Sequence, residues 1–147
     1  MHGGQSSGIY VFNHGEGTFE DCDIYNNQHS GVQVTAGGNP LMSQCKMHDE
    51  QAAGIHVYDQ GEGSFENCDI YNNKHSGVAV SEGGKPLMRH CQMHGGQTRG
   101  IHVDEQGEGT FEDCETFANR HGGLYTEKGS YPVTLRCTFQ DGEKHYN

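Results

Sequence analysis

The side chains best placed for chemistry are His102 and Asp104, with Glu105 beside them. On an extended segment residues i and i+2 point to the same side, so an imidazole and a carboxylate there could share a proton. His56 and Tyr58 repeat that spacing 46 residues earlier, and Tyr10 and Phe12 repeat it 46 residues before those. A row of aromatic and imidazole rings would stack on a sugar or anchor a protein segment. The same residue types also simply suit an exposed strand. A second group, Asp59, Glu82 and Glu105, recurs every 23 residues. Stacked carboxylates repel unless a cation or a basic partner offsets them. Left to themselves they read as a solvated acidic turn.

What must position these residues is a repeat. Cys22, Cys45, Cys68, Cys91, Cys114 and Cys137 are each 23 residues apart, and so are Gly8, Gly31, Gly54, Gly77, Gly100 and Gly123. Further columns keep the step: Ile9/Val11 with Val32/Val34, Ile55/Val57, Val78/Val80 and Ile101/Val103; Phe19, Met42, Phe65, Met88 and Phe111; Ile24, Met47, Ile70 and Met93. Alternation of period two marks strands, and Gly-rich triplets such as Gly15-Glu16-Gly17 and Gly38-Asn39-Pro40 mark corners. Three short strands in each of about six 23-residue turns, always with the same positions inward, predict an all-β right-handed parallel β-helix over one domain, residues 1–147. With 31% hydrophobic residues, no Trp and 23 Gly, the chain suits a narrow stacked core better than a globule.

Odd and even turns differ, so that outward charges alternate: Asp23–Lys46–Asp69, Glu66–Arg89–Glu112 and Glu62–Lys85–Glu108. Like charges one turn apart would repel, so the alternation protects register. The last turn becomes polar (Thr126 and Thr134, then Asp141 to Asn147), whereas the first shows no such blunting, which predicts self-association through the N-terminal turn. Equivalent residues on stacked strands lie about 4.8 Å apart with parallel side chains. That disfavours disulfides, which need Cβ atoms turned toward each other. Free buried thiols then favour a reducing cytoplasm. The cysteine column is also linear rather than tetrahedral, which excludes zinc. His2, His48 and His94 share a column but stand 46 residues apart, roughly 9–10 Å, too far to hold one ion.

The runs Gly-Gly-x-Pro-Leu-Met-x-x-Cys-x-Met-His, Gly-Ile-x-Val and Gly-Glu-Gly-x-Phe-Glu-x-Cys-Asp-Ile-Tyr-Asn-Asn resemble the right-handed parallel β-helix repeat family. They look most like its carbohydrate-binding and sugar-hydrolase repeats, found in F-box receptor domains and bacterial repeat proteins. The resemblance spans the chain and implies the fold far more specifically than a function. It also implies calcium at Asp59, Glu82 and Glu105, since related polysaccharide lyases bind it beside such a strand. One column alone cannot supply six to eight oxygens, and no other cofactor is expected. A formal charge of −11 argues against nucleic acid and anionic membranes as partners. There are no phosphate loops, no pectin-degrading catalytic motifs and no insertions to wall a cleft. The sequence therefore favours a non-enzymatic scaffold or interaction module presenting Tyr10, Phe12, His56, Tyr58, His102 and Asp104 to a protein or glycan. The alternative is a polysaccharide lyase or hydrolase using the same face through Asp104 and His102.

Overall fold

The computed structural model describes residues 1–145. Each glycine corner releases a short strand. The first two turns contribute β1 (Ile9–Val11), β2 (Glu16–Glu20), β3 (Asp23–Tyr25), β4 (Val32–Val34), β5 (Asn39–Ser43) and β6 (Lys46–His48). The next two contribute β7 (Ile55–Val57), β8 (Ser64–Glu66), β9 (Asp69–Tyr71), β10 (Val78–Val80), β11 (Leu87–Arg89) and β12 (Gln92–His94). Last come β13 (Ile101–Val103), β14 (Thr110–Glu112), β15 (Glu115–Phe117), β16 (Leu124–Thr126), β17 (Val133–Leu135), β18 (Thr138–Phe139) and β19 (Glu143–His145). Every third strand stacks in one sheet. The first sheet runs β1-β4-β7-β10-β13-β16-β19, the second from β2 to β17 and the third from β3 to β18. All pairings are parallel, with register such as Val78↔Ile101 and Met88↔Phe111, as the 23-residue frame requires.

Among the described residues the frame fails once. β16 pairs with β19 as Leu124↔Glu143, a step of 143 − 124 = 19, so the last turn is shorter than the others. The polar closure expected there is wired inward. Thr116 is fully buried and donates to Asp141 Oδ1 at 2.7 Å, while Asp141 Oδ2 accepts the Asn119 N–H at 3.0 Å and side-chain amide at 2.9 Å. Tyr146 and Asn147 of the polar tail lie outside the described residues.

The inward columns pack as one continuous core, with Phe65, Met42, Met88, Phe111, Ile70 and Met93 fully buried. The cysteines are free thiols, buried at 45, 68, 91 and 114 and half-buried at 22 and 137. At the corner before each cysteine sits a non-glycine in the left-handed region: Asp21, Gln44, Asn67, His90, Asp113 and Arg136, with φ of 52–54°. From Asp21 to Asp113 its N–H still donates to the next turn, as from Gln44 to Glu66 O at 3.0 Å. Those bonds, each worth about 1 kcal/mol net, offset a strain of about 1–2 kcal/mol. The glycine opening each turn is required by close approach instead. A Cβ at Gly54 would meet Ile70 Cγ2 at 2.5 Å and Gly77 O at 2.9 Å.

Two columns were not foreseen. Inside the last corner of each turn Asn27, Glu50, Asn73 and Asn119 are buried one above another. The Asn73 Oδ1 accepts the Glu50 N–H at 3.0 Å and its amide donates to Met47 O at 3.3 Å. Outside, His2, Tyr25, His48, Tyr71, His94 and Phe117 stack ring on ring, with centroids 4.5–5.3 Å apart and planes within 14°. This stack corrects one charge pattern. Asp23 and Asp69 hold His48 and His94, each at 2.7 Å, rather than serving Lys46. Of the other alternations, Glu66–Arg89–Glu112 forms on both sides, with Arg89 3.0 Å from Glu112 and 3.7 Å from Glu66, and Glu62–Lys85–Glu108 forms at Glu108, 3.3 Å from Lys85.

Candidate functional site

The outward face of the first sheet carries the candidate residues, because alternation buries Ile55/Val57, Val78/Val80 and Ile101/Val103 and turns the residue between each pair outward. In-register pairing then places His56, Ala79 and His102 side by side. The methyl group of Ala79 between two imidazoles leaves a groove of about 590 Å³. One wall comes from the ends of the preceding turns and carries His75, Arg99 and His121. The opposite wall comes from the turn after the strand and carries Glu82, Asp104 and Glu105. The groove is thus basic on one side and acidic on the other, over a floor of imidazole.

Its groups are held from behind. The Arg99 guanidinium lies over the Tyr125 ring, 4.7 Å from the centroid, a cation–π contact that fixes its head. His102 Nε2 lies 3.3 Å from Asp104 Oδ2, and its ring tilts against Tyr125 at 4.7 Å. Burial raises the Asp104 carboxyl, with His102 pulling it down and Glu105 and Glu127 pushing it up. His56 is packed against Tyr58 at 4.4 Å, and its Nε2 lies 3.3 Å from Ser81 Oγ. Burial lowers the His56 pKa, so this imidazole favours its neutral form.

The structure brings His56, His102 and Asp104 together, along with Glu82 and Glu105. Tyr58 stands behind His56. Its hydroxyl donates to Gln33 Oε1 at 3.4 Å, and burial first, then Tyr10, raises its pKa. Tyr10 and Phe12 lie further along the same face, about half exposed at 49% and 51%, with rings 5.1 Å apart. Asp59, Glu82 and Glu105 occupy equivalent left-handed turn positions, φ 44–47°, but Asp59 does not line the groove. Among the described residues, no group of three or more His, Cys, Asp or Glu side chains is disposed to hold a metal ion.

Sequence reasoning missed the basic wall. The candidates read from the sequence lie in the first strand and the turn after it, whereas Arg99 stands just before Gly100. The signal was there: Ser30, Ala53, Ser76 and Gly122 are the equivalents of Arg99, which is the single large residue in a column of small ones.

A family model described as right handed beta helix region matches residues 1–139. Among solved structures, the periplasmic alginate epimerase AlgG superposes with a TM-score of 0.78 at 14% identity, covering 90% of this chain and 36% of that one. The pectate lyase Pel9A superposes with a TM-score of 0.51 at 15% identity, covering 70% of this chain and 40% of that one. The chain therefore spans well under half the length of either structure. No curated protein matches the sequence.

Proposed function

Because the chain belongs to the right handed beta helix family, we propose that its first sheet is a carbohydrate-active surface whose groove over Ala79 receives an acidic sugar. The observation that carries this reading is the opposition of the two walls across the imidazole floor. A uronate carboxylate would lie against Arg99, which matches a planar carboxylate with two parallel N–H donors. The ring would rest over Ala79, with an imidazole on either side. Support comes also from the names of the two fold neighbours, an epimerase acting on alginate and a lyase acting on pectate, both acidic polysaccharides.

The chemistry this arrangement suits is removal of the proton α to the carboxylate. Ion pairing with Arg99 would reduce the charge that otherwise opposes carbanion formation. His56, kept neutral by burial, would serve as the base. His102, held by Asp104, would stand about two strand spacings, roughly 9–10 Å, along the sheet to return a proton from the other side. A second reading, a rigid glycan-binding module without turnover, is favoured by the 23-residue turns that carry the groove, which leave no long loop over it.

Oligomannuronate and oligogalacturonate incubated in D2O separate the readings. Deuterium at C5 or an unsaturated end product, lost in both Arg99→Ala and His56→Gln, is the result expected of an enzyme. Binding weakened by Arg99→Ala with no exchange supports the module. Absence of both binding and exchange overturns the reading.

A further inference from the structure

The cysteine column takes no part in the groove, and its residues lie inward at one corner of every turn. We propose that neighbouring cysteines of this column form two-coordinate sites for a soft monovalent cation of the Cu(I) or Ag(I) class. Successive strands in these sheets are about 4.8 Å apart, with equivalent side chains pointing the same way. A metal–thiolate bond is about 2.3 Å, so two in line span about 4.6 Å. An ion midway between two stacked sulfurs meets both with little movement of either. The linearity that excludes tetrahedral zinc is what a digonal ion requires.

The thiols are already in communication. Cys68 interacts with Cys45 and Cys91, Cys91 with Cys68 and Cys114, and Cys114 with Cys91 and Cys137. Six consecutive thiols, each flanked only by its neighbours one turn away, divide by count into three adjacent pairs, 22/45, 68/91 and 114/137. Every sulfur from Cys45 to Cys137 also faces two backbone carbonyls, while Cys22 faces one. Cys91 Sγ lies 3.3 Å from Arg89 O and 3.4 Å from Phe65 O, and Cys45 Sγ lies 3.3 Å from Ser43 O and 3.5 Å from Phe19 O. These oxygens accept the S–H now and would face the cation once the proton leaves, a second shell of the right sign. Soft thiolate ligands select Cu(I) over harder ions.

The exchange balances without redox chemistry. Two thiols and one monovalent cation give a bis-thiolate of charge −1 and two protons; two S–H bonds break and two S–metal bonds form. The half-buried ends, Cys22 and Cys137, give the ions a way in.

The test is anaerobic titration of the reduced chain with Ag(I) and with Cu(I) supplied as its acetonitrile complex. Native mass spectrometry reads stoichiometry, X-ray absorption reads the ligand atoms, and far-ultraviolet circular dichroism follows the fold. Six thiols in three pairs should take three ions, each with two sulfur neighbours, and the β signal should be retained. Cys68→Ala/Cys91→Ala should lose one ion of three, while His56→Gln/His102→Gln should lose none. Should the core double variant not fold, Cys137→Ala at the half-buried end should lose one ion by itself. Unchanged stoichiometry in the cysteine variants, nitrogen or oxygen in the first shell, or loss of the β signal on loading each overturns the proposal.

Discussion

The Glu50 carboxylate, buried inside the solenoid, accepts both the backbone N–H of Asn27 at 2.7 Å and its side-chain amide at 3.2 Å. It replaces an asparagine in a column otherwise built to be neutral. Burial raises its pKa, and the two Asn27 bonds only partly pull it back. A carboxyl raised in the folded state binds more protons there than in the unfolded chain. Its ionisation therefore costs stability, absent below the unfolded pKa and fully present above the folded one. Glu50→Gln carries no such dependence. The stability of the parent relative to Glu50→Gln should fall as pH rises from the unfolded to the folded pKa. Urea unfolding of both chains between pH 4 and 8 checks this; a pH-independent difference would refute it.

His48 has the opposite sign. Asp49 and Asp23 meet its two ring nitrogens at 2.6 and 2.7 Å, an arrangement only the imidazolium satisfies on both sides. Tyr25 and Tyr71 sandwich the ring. Burial opposes the charge, but the hydrogen bonds to Asp49 and Asp23 prevail and raise its pKa. This stabilisation is complete below the unfolded pKa and is lost as pH rises through the folded value. His48→Phe should keep the stack but remove this pH-dependent contribution. A ring-proton NMR titration placing His48 at or below free imidazole would contradict the assignment.

The glycine opening each turn should be irreplaceable. Gly54→Ala presses a methyl group into Ile70 and the Gly77 carbonyl, which overpacks two turns at once and should cost about 3 kcal/mol. Gly3→Ala is the control. Nothing lies within 4 Å of its added Cβ, and only its φ of +67° resists, so about 1 kcal/mol is expected. Comparable midpoints for the two in chemical unfolding would mean that close approach is not what selects glycine.

How much of this was legible depended on chemical uniformity. The Cys, Gly, Val/Ile and Phe/Met columns could be read because each keeps one chemical character through five or six turns, and an in-register stack demands that. The inner polar column could not. Asn27, Glu50, Asn73, Gly96 and Asn119 look like ordinary turn residues, and only burial reveals that they bond across turns. The ring stack was hidden because tyrosine and histidine alternate, so counting histidines alone gave a broken column. The short last turn was invisible because Gly123 and Cys137 keep the frame while Leu124 pairs with Glu143. The groove was half legible: its floor and acidic wall lie in the strand and turn columns, while Arg99 enters from the turn before.

Ala79 is the residue on which the groove depends, since its neighbours in the sheet, His56 and His102, both carry rings. Ala79→Tyr would fill the gap without touching the core, because residue 79 faces outward between buried Val78 and Val80. Stability should change by less than about 0.5 kcal/mol, as for other surface substitutions, while capture of oligouronate should be lost. The parent's pH profile supplies a second measurement. Because burial lowers the His56 pKa, the base survives further into acid than an ordinary imidazole would. The acid limb of C5 exchange should therefore lie below the usual imidazole pKa of about 6.5, and it should vanish with exchange itself in His56→Gln. An acid limb at or above that value would assign the base to a different group, and full binding by a folded Ala79→Tyr would place the sugar elsewhere on the sheet.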